Sequence, residues 1–282
     1  MIVDRLESWI RSGMPSTPER EARARKVVLE AAERALRNWL PKSEQEARPR
    51  VTLSSHFYCP RTIHYSLNDA PKEPVAPRAL DAFALGQTVE ALLVAKCILA
   101  GLPVAWPNAE GWQYRGNLDF DGDLLRGSVD MVLEHEGAMI PVECKSMSEY
   151  GFDKSKREGV DDTFGYVGQL QNYIAMMGAP FGLFLGVNKS TGHAFEERVQ
   201  PEPAKVATAR AAYAAAKRGL PERPEWAKIR VVKAPGGAVE QVDDRRCSYC
   251  PHRATVCFPD FKQVMVSGRP EYRRLIEKDP AH

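Results

Sequence analysis

Two acidic residues interrupt apolar, strand-like runs in the middle of the chain, and no other feature constrains the fold as strongly. Asp130 lies in the run GSVDMVL, and Glu143 lies near the end of the run MIPVECKS. A carboxylate on a buried strand is costly unless a cation or hydrogen-bond donors compensate for it. If the two runs pair as a hairpin through HEGA, both carboxylates lie near one end of a sheet. The sequence therefore predicts a compensated acidic site at that end.

Lys145 adds a cation to this site. It lies two residues beyond Glu143 and therefore points to the same face of the strand. Two carboxylates and backbone carbonyl oxygens are hard ligands that suit Mg²⁺ or Mn²⁺, and a neighbouring ammonium group can orient a nucleophile and stabilise developing charge. Glu-x-Lys is a weak pattern by itself, because 27% of the residues are charged. An exposed ion pair at a strand end is the alternative.

A third carboxylate, Glu90, is predicted from helical periodicity. The pattern from Pro77 to about Leu102 is that of a helix closed by Gly101 and Pro103. The apolar stripe of this helix that contains Glu90 also contains Phe83, Gly86, Leu93 and Cys97. Glu90 should therefore face the interior. A glutamate at the edge of the stripe, with its carboxylate in solvent, is an equal alternative.

The order of the remaining elements predicts an α/β or α+β fold, with a sheet flanked by helices. Short runs bounded by turn residues predict strands at 112–120, 124–134, 138–144, 181–187 and 194–199, and a strand pair within 229–242. Further helices are predicted at 17–40, 163–177 and 203–217, with a short helix that starts at Ser54-Ser55 and carries Cys59.

Composition excludes several classes of protein. The net charge of +2 and 44% hydrophobic residues exclude disorder as the main state. We expect no membrane span, since no uninterrupted apolar run reaches about 18 residues. The start MIVDRLESWI carries charges where a signal peptide needs an apolar stretch. The chain is therefore predicted to be cytoplasmic, and its six cysteines to be ligands, catalytic groups or buried residues rather than disulfides.

Three cysteines have the spacing of a metal knuckle, Cys247-x2-Cys250-x6-Cys257, and Cys59 is the natural fourth ligand. The spacing supports zinc and an iron–sulfur cluster equally. A zinc site with His252 in place of Cys59 and a set of unligated buried thiols are the other readings. Cys97, on the apolar stripe of its helix, is predicted to pack in the core.

Taken together, these residues resemble the RecB-like branch of the PD-(D/E)XK nuclease superfamily. The motifs that match it, in the order of the family, are Gly86-x-x-x-Glu90, Gly127-x-x-Asp130, Glu143-x-Lys145 and Gln169-x-x-x-Tyr173. The resemblance implies a restriction-endonuclease-like core and a deoxyribonuclease that uses Mg²⁺ or Mn²⁺, acting as an exonuclease on duplex ends or single strands. Many members have a histidine where this chain has Glu90.

The resemblance also implies a role for each motif residue. The metal would be held by Glu90, Asp130, Glu143 and the backbone carbonyl of Cys144, with Lys145 as the assisting cation. Gln169 and Tyr173, one helical turn apart, would hold the site and the nucleic acid in place.

The order of the cysteines resembles the iron–sulfur subset of that branch, which is similar to the AddB nuclease domain and the CRISPR adaptation nuclease. In that subset one cysteine precedes the nuclease core and three follow it. The resemblance therefore implies that Cys59, Cys247, Cys250 and Cys257 hold a [4Fe–4S] cluster in preference to Zn²⁺.

The polar stretch from Ser146 to Asp162 is predicted to be a mobile segment beside the site. Its aromatic and cationic side chains, which are suited to stacking bases and neutralising phosphates, are Tyr150, Phe152, Lys154, Lys156 and Arg157. A solvated loop without a role is an equal alternative. Lys189 and Arg61 are further candidate phosphate contacts, although such residues are more often ordinary surface charges.

The predicted organisation is an N-terminal helical extension over 1–50, which includes a polar linker at 42–50, a nuclease domain over 51–262 and a tail over 263–282. DNA is the predicted partner. Recombination, phage replication and CRISPR adaptation all stay open as pathways, as does the oligomeric state. The alternative function is a DNA-binding or assembly subunit with secondary nuclease chemistry, against which the intact Asp130, Glu143 and Lys145 argue.

Overall fold

A computed structural model describes residues 2–37, 51–55, 57, 59–75, 77–108, 113–160, 162–234, 237–242, 245–248, 250–266 and 269–275. The predicted linker at 42–50 lies outside these residues. The chain divides into two compact units. Unit 1 comprises Met1–Ser55 and Ala76–Arg210, and unit 2 comprises His56–Val75 and Ala211–His282.

The helices and strands follow each other along the chain in mixed order. The helices are α1 (Ile2–Arg11), α2 (Pro18–Arg37), α3 (Pro60–Leu67), α4 (Pro77–Leu99), α5 (Glu149–Glu158), α6 (Tyr166–Met177), α7 (Pro203–Arg218) and α8 (Arg245–Ser248). The strands are β1 (Val104–Trp106), β2 (Tyr114–Phe120), β3 (Asp123–Val129), β4 (Met131–His135), β5 (Ala138–Met147), β6 (Gly182–Asn188), β7 (Ala194–Val199), β8 (Ile229–Ala234), β9 (Gly237–Val242), β10 (Lys262–Val266) and β11 (Arg269–Leu275).

Unit 1 is built on a mixed five-stranded sheet in the order β1-β4-β5-β6-β7. Strands β4 and β5 form the antiparallel hairpin through HEGA, and its turn residues Glu136 and Gly137 have φ of 52° and 78°. Two positive φ values are what a tight two-residue hairpin turn requires. Strand β6 pairs with β5 in parallel and with β7 antiparallel, and it is buried at every position. The predicted mixed sheet with flanking helices is confirmed.

The predicted strand at 124–134 is in fact two strands. β3 ends at Val129 and pairs with β2 in a separate two-stranded sheet, whereas β4 begins at Met131 in the central sheet. Asp130 is the residue at which the chain passes from one sheet to the other. Its side chain therefore does not have to follow the alternation between the two faces of a sheet that a continuous strand imposes on successive residues.

The stretch predicted as a mobile segment forms the helix α5, so that expectation is wrong. The hydroxyl of Ser148 accepts a hydrogen bond from the Gly151 amide at 3.3 Å and caps the start of the helix. Phe152 is buried and packs edge-on against Phe195. One anchored aromatic and a good cap are enough to hold a short helix on the sheet.

Helix α4 packs against α2 and β5, and Cys97 is fully buried in its core-facing side, as predicted. Phe83 is 56% exposed, so the apolar stripe does not extend to the first turns. Within the described residues, Ala79–Leu99 is one helix that by length and composition could cross a membrane, a test that core helices of soluble proteins also pass.

Unit 2 contains α3 and an antiparallel sheet in the order β10-β11-β9-β8. Helix α3 begins at Pro60 rather than at Ser54-Ser55, with Cys59 as its N-cap residue and the proline in its first turn. The strands β10 and β11 were not predicted, and they occupy much of the segment expected to be a tail.

Candidate active site

The strand pairing of unit 1 brings Asp130, Glu143 and Lys145 together. In the β4–β5 ladder Met131 lies opposite Val142, so Asp130 lies beside Glu143. Lys145, on the same face of β5, contacts Glu143 Oε1 with its Nζ, which lies 3.9 Å from Asp130 Oδ2. The ammonium group therefore compensates the negative charge of these two carboxylates.

Each oxygen of the Asp130 carboxylate accepts a hydrogen bond. Oδ2 accepts from the backbone amide of Cys144 at 3.1 Å, and Oδ1 accepts from Gln113 Nε2 at 2.8 Å. The side chain is only 15% exposed. The orientation of this carboxylate is consequently fixed from both sides.

Glu143 is fully buried and is held from α6. Its Oε1 accepts a hydrogen bond from Gln169 Nε2 at 2.9 Å, and the same amide nitrogen lies 3.0 Å from the hydroxyl of Tyr173, to which it donates. Within the described part of the chain, Glu143 Oε2 is buried without a hydrogen-bond partner. Burial raises the pKa of Glu143 above its ordinary value, and the ammonium group of Lys145 opposes that rise.

Glu90 joins the site from α4. Burial raises the pKa of Glu90 to about 7; the charge of Lys145 lowers it and the charge of Asp130 raises it further. A β-carbon on Gly86, one turn earlier, would lie 3.3 Å from Ser146 Oγ. Glycine at that position therefore allows the helix to approach β5 closely, which explains the Gly-x-x-x-Glu pattern.

Gly127 allows a second close approach. A β-carbon there would lie 2.8 Å from Met176 Sδ, 2.9 Å from Leu53 Cδ1 and 3.2 Å from Tyr173 Cε1. Helix α6 can therefore lie directly on β3, and this packing sets the position from which Gln169 reaches Glu143.

A cavity of about 110 Å³ opens beside the acids. Its lining includes Glu90 and Asp130 together with three polar residues that the sequence did not single out, Arg34 of α2, Gln87 of α4 and Gln113. A signal for Gln113 was present, because a tight hairpin at Asp121-Gly122 places residue 113 opposite residue 130. For Arg34 there was no such signal, since it is one of several arginines on its helix.

The chemistry of these donors fits a small divalent cation. Three carboxylates converge, one carries a buried oxygen without a partner, and the carbonyl of Cys144 faces the site, since Lys145 Nζ lies 3.3 Å from it. Among the residues that the structure describes, no three His, Cys, Asp or Glu side chains already stand together as a metal site. Lys145 would have to withdraw from the two acids to admit a cation.

The residues suggested for DNA contacts differ in their exposure. On α5, Tyr150 is 74% exposed and Lys156 and Arg157 are exposed, with Arg157 paired to Glu158 at 2.7 Å. Lys154 is half-buried, Phe152 is buried, and the exposed Lys189 follows β6.

In unit 2 the four predicted cluster ligands, Cys59, Cys247, Cys250 and Cys257, line one cavity. Arg61 also lines it and donates hydrogen bonds to the Tyr65 hydroxyl at 2.7 Å and to the Pro221 carbonyl at 3.3 Å. As far as the structure describes the chain, Arg61 Nε is buried there without a partner.

His252, the alternative zinc ligand, is engaged elsewhere. Its side chain is fully buried, with one ring nitrogen 3.3 Å from Ser66 Oγ and the other 3.1 Å from the Pro71 carbonyl.

A family model described as the PD-(D/E)XK nuclease superfamily matches residues 4–257. Similar solved structures include SSO0001, with 13% identity over 79% of this chain and 92% of that chain and a TM-score of 0.45. They also include the alkaline exonuclease LHK-Exo from Laribacter hongkongensis, with 14% identity over 66% of this chain and 84% of that chain and a TM-score of 0.37. The structure of LHK-Exo in complex with dAMP has 15% identity over 55% of this chain and 74% of that chain and a TM-score of 0.38. No curated protein matches the chain.

Proposed function

This chain belongs to the PD-(D/E)XK nuclease superfamily, and from its candidate active site we propose that it is a Mg²⁺- or Mn²⁺-dependent deoxyribonuclease. One observation carries the proposal: Asp130, Glu143 and Lys145 meet at the end of the central sheet, with Glu90 reaching them from α4. Carboxylates beside a half-buried ammonium group are suited to bind a divalent cation and a phosphate at once.

The site residues divide into those that would hold the cation and those that would assist the reaction or orient its ligands. Glu90, Asp130, Glu143 and the Cys144 carbonyl would hold the cation, which when bound supplies Lewis-acid activation of the phosphodiester. Lys145, displaced from the acids, would donate to the phosphate oxygens or to the attacking water. Gln169 orients Glu143 by its hydrogen bond of 2.9 Å, and Tyr173 contacts Gln169 in turn.

We propose further that the enzyme is a cytoplasmic exonuclease of the RecB-like branch, acting on DNA ends or single strands. The order of the four motifs from Gly86 to Tyr173 supports the branch. The exposed face of α5, which follows β5 directly, presents Tyr150, Lys156 and Arg157 for contact with a strand. Lys189 and the half-buried Lys154 are proposed as additional phosphate contacts, as is Arg61 in unit 2.

A structural [4Fe–4S] cluster is proposed for unit 2. Its support is that Cys59, Cys247, Cys250 and Cys257 line one cavity, into which Arg61 brings positive charge and a buried donor without a partner. Such a group would tie the start of α3 to residues 247–257. Anaerobically purified protein should be brown, with about four irons per chain. A colourless protein with one zinc would replace the cluster by Zn²⁺.

The nuclease proposal is tested by digestion of end-labelled linear and circular DNA, single- and double-stranded, with Mg²⁺, with Mn²⁺ and with a chelator. We expect degradation of linear DNA that requires the cation and is abolished in Lys145→Ala. Lys228→Ala is the matched control, because this lysine is exposed and pairs only loosely with Glu225 at 3.3 Å. A wild type that binds DNA but degrades none of these substrates would refute the enzyme and favour the DNA-binding or assembly subunit. Degradation by Lys145→Ala at the rate of wild type would refute the proposed active site.

A further inference from the structure

The β2–β3 hairpin carries a polar pair at its open end. Its register runs from Phe120 opposite Asp123 to Tyr114 opposite Val129. The next position places Gln113 opposite Asp130, where the chain leaves this hairpin for the central sheet. Gln113 therefore sits beside a proposed metal ligand because of strand register rather than through a flexible loop.

The Gln113 amide has a defined orientation. Its Nε2 donates to Asp130 Oδ1 at 2.8 Å, and its Oε1 accepts from Arg34 Nη1 at 2.8 Å. A guanidinium group can only donate and a carboxylate can only accept. Exchange of the amide oxygen and nitrogen would break both contacts, so Arg34 holds the amide with its donor towards Asp130.

The second oxygen of Asp130 is held independently. Its Oδ2 accepts from the Cys144 amide at 3.1 Å and lies 3.9 Å from Lys145 Nζ. Loss of the Gln113 contact would leave one fixed oxygen and allow the carboxylate plane to rotate about it. A rotated Asp130 would no longer direct the same lone pairs to a cation that Glu90 and Glu143 also bind.

We propose that Gln113 is a positioning residue that orients Asp130 for the divalent cation, with Arg34 fixing the amide of Gln113. This inference rests on the proposed function. Removal of a hydrogen bond that orients a metal ligand weakens metal affinity about 10- to 100-fold. We expect a weakening of about tenfold here, because the Cys144 amide still holds the other oxygen.

The test is the Mn²⁺ affinity of the full chain, measured by calorimetry without DNA, for wild type and Gln113→Met. Methionine keeps the length of the side chain and removes the donor. Gln113→Asn is the second variant, because its shorter amide cannot reach Asp130. Asn117→Leu is the matched control, since it removes an exposed amide from the same strand. Thermal melting in a chelator shows that each variant is folded.

Cleavage gives the second readout. The kcat of Gln113→Met should fall at low Mn²⁺ and recover at saturating Mn²⁺, with an unchanged KM for DNA. A wild type that binds Mn²⁺ and cuts DNA, with both Gln113 variants matching its metal affinity, overturns this inference alone. A wild type that neither binds Mn²⁺ nor cuts DNA overturns the proposed function as well.

Discussion

Replacement of Lys145 by methionine is expected to destabilise the cation-free protein above about pH 8, by about 1.4 kcal/mol per pH unit. Glu143 is fully buried, and Lys145 Nζ contacts its Oε1. Without the ammonium group the carboxylate either stays charged, at a cost of about 3 to 5 kcal/mol, or takes up a proton. In the wild type the pKa of Glu143 is already raised to about 8, so both proteins hold this proton at pH 7. Above pH 8 the variant alone keeps the proton, and its loss of stability relative to wild type grows by about 1.4 kcal/mol per pH unit.

The sign of the pH dependence follows from proton binding. Removal of Lys145 raises the pKa of Glu143 further, because the ammonium group lowers it in the wild type. The folded variant then binds a proton that the unfolded chain releases above its ordinary pKa of 4.5. The Glu143 contribution to stability therefore falls in both proteins as the pH rises above 4.5, and the deficit of the variant opens only above about pH 8, where the wild type releases the proton.

Urea unfolding of both proteins in a chelator, at pH 7, 8 and 9, measures this deficit. Glu143→Gln combined with Lys145→Met should recover most of the lost stability, because the buried charge is then gone as well. Lys228→Met is the control and should change stability by less than about 1 kcal/mol, as exposed pairs do. A Lys145→Met protein as stable as wild type at pH 9, or a deficit that does not grow from pH 8 to pH 9, would refute the ion pair between Lys145 and Glu143.

Three further predictions concern Glu90, Gly127 and Cys247. Mn²⁺ affinity should rise between pH 6 and 8, because Glu90, with a pKa of about 7, must lose its proton to bind; a flat calorimetric profile contradicts this. Gly127→Ala should cost about 1 to 3 kcal/mol in urea unfolding, since its β-carbon would lie 2.8 Å from Met176 Sδ; unchanged stability contradicts the close packing. Cys247→Ser should lower soluble yield more than Asp130→Ala does, and equal yields would count against a structural cluster.

The alternation of apolar residues was enough to predict the β4–β5 hairpin, and with it the proximity of residues 130 and 143. It was not enough to show that the run at 124–134 divides between two sheets, because apolar residues continue on both sides of Asp130. Only the partners of β3 and β4 reveal the break.

Helix α5 escaped prediction for a different reason. Its sequence, EYGFDKSKRE, contains a glycine and six charged residues, so no apolar stripe is visible. The helix depends on the Ser148 cap and on Phe152, whose environment is supplied by residues distant in sequence such as Phe195. Tertiary contacts of this kind leave no local pattern.

The central claim is that Glu90, Asp130 and Glu143 together hold a divalent cation beside a DNA phosphate. Anomalous scattering from crystals grown with Mn²⁺ and a short oligonucleotide tests it most directly. We expect a peak about 2 to 2.5 Å from oxygens of these carboxylates, with Lys145 turned towards the phosphate. Full Mn²⁺ occupancy elsewhere on the chain, with Lys145 still bound to Glu143, would contradict it.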